Sequence, residues 1–97
     1  MPDIDVVALI TAKPGSEDAV REALSELVEP TRAEEGCIDY YLTVSAADPT
    51  VFVTVERWRS QEDLDAHMRT PHIAAAFAAA GEHLAAPPAI HPLQPVG

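Results

Sequence analysis

Three alternating, β-branched segments, separated once by a helix-length stretch and once by only a short loop, leave this chain few topologies to choose from. The segments are Ile4 to Ala12, Cys37 to Val44 and Val51 to Trp58; the loop is Ser45 to Thr50, with Asp48-Pro49 as its turn signal. Between the first two, Val20, Ala23, Leu24, Leu27 and Val28 recur on a single helical face. Ser16 is expected to cap that helix, Glu17 and Asp18 to occupy its positive first turn, and Pro30 to kink or end it before Gly36. After Trp58, Ser60 with Asp63 three residues on predicts a second helix start, and Thr70-Pro71 a restart. Ile73, Ala76, Phe77, Ala80 and Leu84 supply the apolar stripe of that last piece. Pro87-Pro88 ends it, and Ala89 to Val96 predicts a proline-interrupted edge strand.

The order is strand–helix–strand, given twice. Right-handed crossovers turn that order into an α+β ferredoxin-like plait (βαββαβ), a four-stranded antiparallel sheet with its helices on one side. One domain over residues 1–97 is expected. Helices cover one face only, so the other must find its own partner. Val51, Val53 and Val55 are expected toward the helices, with Phe52, Thr54, Glu56 and Trp58 facing away. In the second strand Ile38, Tyr40, Leu42 and Val44 form the apolar set and Tyr41 lies opposite. An outer face carrying Val7, Leu9, Tyr41, Phe52 and Trp58 is too apolar to stay wet. A second copy of the same sheet is the simplest cover, which predicts a homodimer, a dimeric α/β barrel enclosing a small-ligand site.

Charge excludes other partners. Sixteen acidic residues against six basic ones give a formal charge of −10, which repels nucleic-acid phosphates and anionic lipid alike. No apolar run is long enough to span a bilayer, and the acidic start of the chain does not read as a signal peptide. The single cysteine, Cys37, reads as a small buried apolar group, and a cytoplasmic location is expected.

The chemistry concentrates in Glu56-Arg57-Trp58 and the two histidines that follow, His67 and His72. Glu56 and Trp58 share a strand face, because alternate residues point the same way. His67 or His72 suits a general base, since imidazole titrates near neutrality. Trp58 and Phe52 suit a wall against a planar ring, and Tyr41, or Tyr40 in another register, a hydrogen bond to a substrate oxygen. Each also has a plainer reading: Trp58 as a core anchor, Glu56 as the partner of an arginine, His72 as a group satisfied locally at a helix start. His83 and His91 have no motif around them and read as surface groups. The two site histidines are five apart with Pro71 between them, not the one-turn spacing that lets imidazoles grip zinc from one helix face, so no metal is expected.

Taken in order, Val6 to Ile10, Lys13-Pro14-Gly15, Glu29 to Cys37, Glu56-Arg57-Trp58, Leu64 to His67 and Thr70-Pro71-His72 resemble the antibiotic biosynthesis monooxygenase family, with its small quinol monooxygenase-like members the nearest match. The resemblance covers nearly the whole chain. It implies a dimeric α/β barrel that oxidises aromatic or quinol substrates with dioxygen and without flavin, haem or metal. Other members of the family degrade haem or isomerise a small phosphorylated ketone. The chain has no asparagine, although haem-degrading and polyketide-oxidising members place one in the pocket. The expected function is therefore cofactor-independent oxidation of a quinol or phenolic substrate. A ketone or aldehyde isomerase and a non-catalytic binding module are the alternatives.

Overall fold

A computed structural model describes residues 3–97. Its elements run β1 (Ile4–Thr11), α1 (Glu17–Ser25), α2 (Val28–Arg32), β2 (Cys37–Val44), β3 (Val51–Trp58), α3 (Gln61–His67), α4 (Pro71–Ala80), a turn of 3₁₀-helix (Gly81–His83) and β4 (Ala89–Leu93). The strands form one antiparallel sheet in the order β2-β3-β1-β4, the ferredoxin-like arrangement.

Each expected helix is divided in two. The first divides at Glu26–Leu27, although Pro30 lies inside α2. A proline ring collides with the carbonyl four residues before it, here that of Glu26, so the break precedes the proline by one turn. Pro30 then falls in the first turn of α2, where a missing N–H costs nothing. The second divides at Thr70, whose Oγ1 accepts from the Ile73 amide while Pro71 takes the first helical position. Ser60 caps α3, accepting from the Asp63 amide at 3.2 Å. Ser16 stands at the start of α1 but caps no amide; its Oγ meets His83 Nδ1 at 3.1 Å, so His83 is half-buried rather than a surface group. His91 is exposed, as expected. The last strand stops at Leu93, short of Val96, which is fully exposed.

The helix-facing side of the sheet carries Val6, Ala8 and Ile10 of β1 opposite Glu56, Thr54 and Phe52 of β3. That reverses the expected orientation of β3. Phe52, Thr54, Glu56 and Trp58 are buried against the helices, while Val53 and Val55 sit on the open face beside Leu9 and Val7. A bulge between Cys37 and Asp39 makes Ile38 an extra residue, so it leaves the expected apolar set and is exposed. Beyond the bulge Tyr40 points to the helices across from Glu56, and Tyr41 to the open face across from Val55. The open face is apolar, as expected, but through Leu9, Tyr41 and Val55 rather than Phe52 and Trp58.

Candidate functional site

Glu56 is a carboxylate buried under the helices, a placement that is expensive unless its oxygens are satisfied. Its two strand neighbours on the same face satisfy them: Trp58 Nε1–H donates to Oε1 at 2.8 Å and Thr54 Oγ1–H to Oε2 at 2.6 Å. Tyr40 lies across the ladder. Burial, then the charge of Glu56, pushes its phenol well above the ordinary tyrosine value, so Tyr40 keeps its proton.

His67 ends α3 and is buried, with its ring 4.6 Å from the Trp58 ring, centroid to centroid, and 6.0 Å from that of Tyr40. Its Nδ1 stands 2.6 Å from Oε2 of Glu34, in the turn between α2 and β2. The same oxygen lies 2.8 Å from Nε2 of His72, the second residue of α4. The five-residue spacing therefore does not keep the imidazoles apart. Thr70 Oγ1 donates to the His67 carbonyl at 2.8 Å, and the reversal it closes swings His72 back toward the end of α3. The convergence needs two helices and a carboxylate from a distant loop, which is why one-helix spacing did not reveal it.

Among the described residues, Thr31 Oγ1 is the fully buried side-chain polar atom left without a partner. Among the same residues, His67 Nε2 and Tyr40 Oη make no hydrogen bond either, and both side chains line one space. A cavity of about 20 Å³ lies there, lined by Tyr40, Thr54, Glu56, His67, Met68 and Phe77 among others. It has room for one water. A planar aromatic ligand needs roughly 300 Å³, so it fits only where the lining opens.

Of the residues singled out from the sequence, the structure brings together His67, His72, Trp58, Tyr40 and Glu56. It does not bring Phe52 or Tyr41 to them. Phe52 is packed in the main core with Ile10 and Leu24, and Tyr41 faces outward with the Arg32 guanidinium 5.6 Å over its ring. Trp58 is wholly buried and touches the site through His67 and Glu56 rather than as a cavity wall. Glu34 was missed. In Glu34-Glu35-Gly36 it reads as a solvated loop charge, and its partner His67 is 33 residues away.

Known proteins share the sequence pattern and the fold. The family model described as "Antibiotic biosynthesis monooxygenase" matches residues 4–79. Rv0793 of Mycobacterium tuberculosis is 39% identical over 93 residues, covering 96% of this chain and 91% of its own. Its solved structure superposes with a TM-score of 0.88 over 99% of this chain and 97% of that one. The Escherichia coli protein named "Probable quinol monooxygenase YgiN" is 33% identical over 82 residues, covering 74% of this chain and 79% of its own. The crystal structure of PA3566 from Pseudomonas aeruginosa gives a TM-score of 0.91 at 31% identity, over 100% of this chain and 97% of that one.

Proposed function

The chain belongs to the antibiotic biosynthesis monooxygenase family, and from that premise we propose that it oxidises a quinol or phenolic substrate with dioxygen, using His67 as the general base. The observation that carries the reading is the orientation of His67. Glu34 accepts a hydrogen bond from Nδ1–H, which leaves Nε2 as the unprotonated nitrogen of a ring that lines the cavity. The base is thus held in one tautomer before substrate arrives.

In this reading the substrate hydroxyl gives its proton to His67 Nε2, and the electron-rich anion reacts with dioxygen directly. Tyr40 donates a hydrogen bond to the charge that develops, and the apolar walls of Met68, Phe77 and Ile90 exclude water. A quinol passes two electrons and two protons to dioxygen, giving quinone and hydrogen peroxide. A phenolic ketone tautomer takes one oxygen atom and releases the other in water. Glu34 is a positioning residue, and Glu56 with Trp58 fixes the floor on which His67 rests. His72 takes no part as base, since it does not line the cavity.

The open sheet face belongs to the same proposal. Leu9, Tyr41, Val55 and Leu93 are each 39–52% exposed on one side of the sheet, and a second copy of the chain is the cover proposed for them. The protein then acts as a homodimer with a site between sheet and helices in each subunit. No helix among the described residues is long and apolar enough to cross a membrane.

Oxygen uptake over a panel of quinols and hydroxylated anthrones tests the activity. Uptake matched by product, and undiminished by chelators, supports it. Turnover of a ketone or aldehyde that continues without oxygen replaces it with an isomerase, and saturable binding without turnover with a binding module.

A further inference from the structure

We propose that Glu34, His67 and His72 form a binding site for one divalent transition-metal ion of the zinc class. Their ligand atoms, Glu34 Oε2, His67 Nδ1 and His72 Nε2, all lie within 4.8 Å of one another, and the carboxylate oxygen stands 2.6 and 2.8 Å from the two nitrogens. Bonds of about 2.0–2.2 Å set ligand atoms around a tetrahedral ion roughly 3.3–3.5 Å apart. An ion seated between the carboxylate and the rings therefore asks for movements of about 1 Å. His67 need not supply them, because Trp58 holds its ring. His72 and Glu34 can, with side chains 22% and 16% exposed. The site thus combines one fixed ligand with two adjustable ones, and their exposure gives water access to the remaining coordination position.

The donor set decides the class of ion. Two imidazoles with one carboxylate suit zinc and its first-row neighbours, whereas calcium and magnesium prefer all-oxygen sites. The overall charge of −10 concentrates divalent cations around the chain. Crowding points the same way. Both rings address one oxygen of Glu34, while no side-chain hydrogen bond within the described residues reaches the other.

Occupancy has a consequence that rests on the proposed function. An ion on Nδ1 moves the ring proton of His67 to Nε2, the atom that would accept the substrate proton, so the loaded protein loses its base. The metal is an inhibitor in this scheme, not a cofactor.

The test uses the untagged full chain, with Zn²⁺ followed by calorimetry and Co²⁺ by its visible absorption. The proposal expects one ion per chain and the bands of low-coordinate cobalt. Glu34→Gln and His72→Ala should each weaken binding by about tenfold or more. His83→Ala and His91→Ala should leave it unchanged, and circular dichroism checks that every variant is folded. No saturable binding, or native affinity retained in both Glu34→Gln and His72→Ala, overturns the site. Zn²⁺ should also slow oxygen uptake with menadiol and a chelator restore it. Bound zinc with uptake unaffected overturns the silencing. Absent uptake in the metal-free protein overturns the oxygenase reading, and calorimetry still decides the site.

Discussion

Glu34 Oε2 stands 2.6 Å from His67 Nδ1, joining the turn before β2 to the last residue of α3. In the proposed mechanism this bond keeps the ring proton on Nδ1 and leaves Nε2 to accept the substrate proton. Glu34→Gln keeps the size of the side chain but offers either a weaker acceptor or a donor in the wrong place. We expect oxygen uptake to fall by about tenfold or more, with substrate KM little changed, because the base is misoriented rather than the pocket reshaped. Steady-state rates with menadiol check this.

The open sheet face predicts a dimer that one charge should divide. Tyr41→Glu places a carboxylate among Leu9, Val55 and Leu93, where burial without a partner costs several kcal/mol. Sedimentation at micromolar concentration should show a dimer for the native chain and a folded monomer for the variant. A native chain that sediments as a monomer removes the second subunit from the account.

Gly36 is required by packing. A Cβ there would overlap the Cβ and Cγ of Asp63, and Asp63 cannot retreat without leaving Ser60 Oγ, 2.9 Å away, and the Arg59 guanidinium. Gly36→Ala is expected to cost about 1–3 kcal/mol, the range for overpacking, and to lower Tm by on the order of 10 °C. Adding Asp63→Gly should recover part of the loss, which thermal melts of the double variant will show.

Alkali should destabilise the fold. Burial pushes Cys37 from its ordinary 9.0 up to about 11, with Glu34 adding to the shift, and burial with Glu56 raises Tyr40 still further above 10.0. Both groups have raised values in the folded chain, so their contribution is complete below the unfolded values. It is lost as pH rises, because the unfolded chain releases its protons first. Urea midpoints should therefore decline from about pH 9 upward, and Tyr40→Phe should flatten the part above about pH 10. A midpoint that rises over this interval contradicts the sign.

The loop at Ser45 to Thr50 and the caps at Ser60 and Thr70 were legible because local chemistry decides them, and the sheet arrangement because crossover handedness leaves few choices. The orientation of β3 was not. Valines alternate with Phe52 and Trp58, so both faces are apolar and alternation alone does not choose between them. Glu56 can lie on the buried face because Thr54 and Trp58 satisfy its carboxylate there. The bulge at Ile38 likewise carries no sequence signal of its own. His67, Trp58 and Glu56 were singled out from their residue types, and the structure brings them together. Glu34 depends on a contact across 33 residues, which neither periodicity nor spacing encodes.

The most direct measurement is the initial rate of oxygen uptake with menadiol by His67→Ala beside His72→Ala. Both histidines bond Glu34, but His67 lines the cavity and His72 does not. The account predicts a loss of about 10²–10⁴-fold for His67→Ala and less than about tenfold for His72→Ala. A His67→Ala protein that is folded and retains the native rate, or a larger loss in His72→Ala, would contradict it.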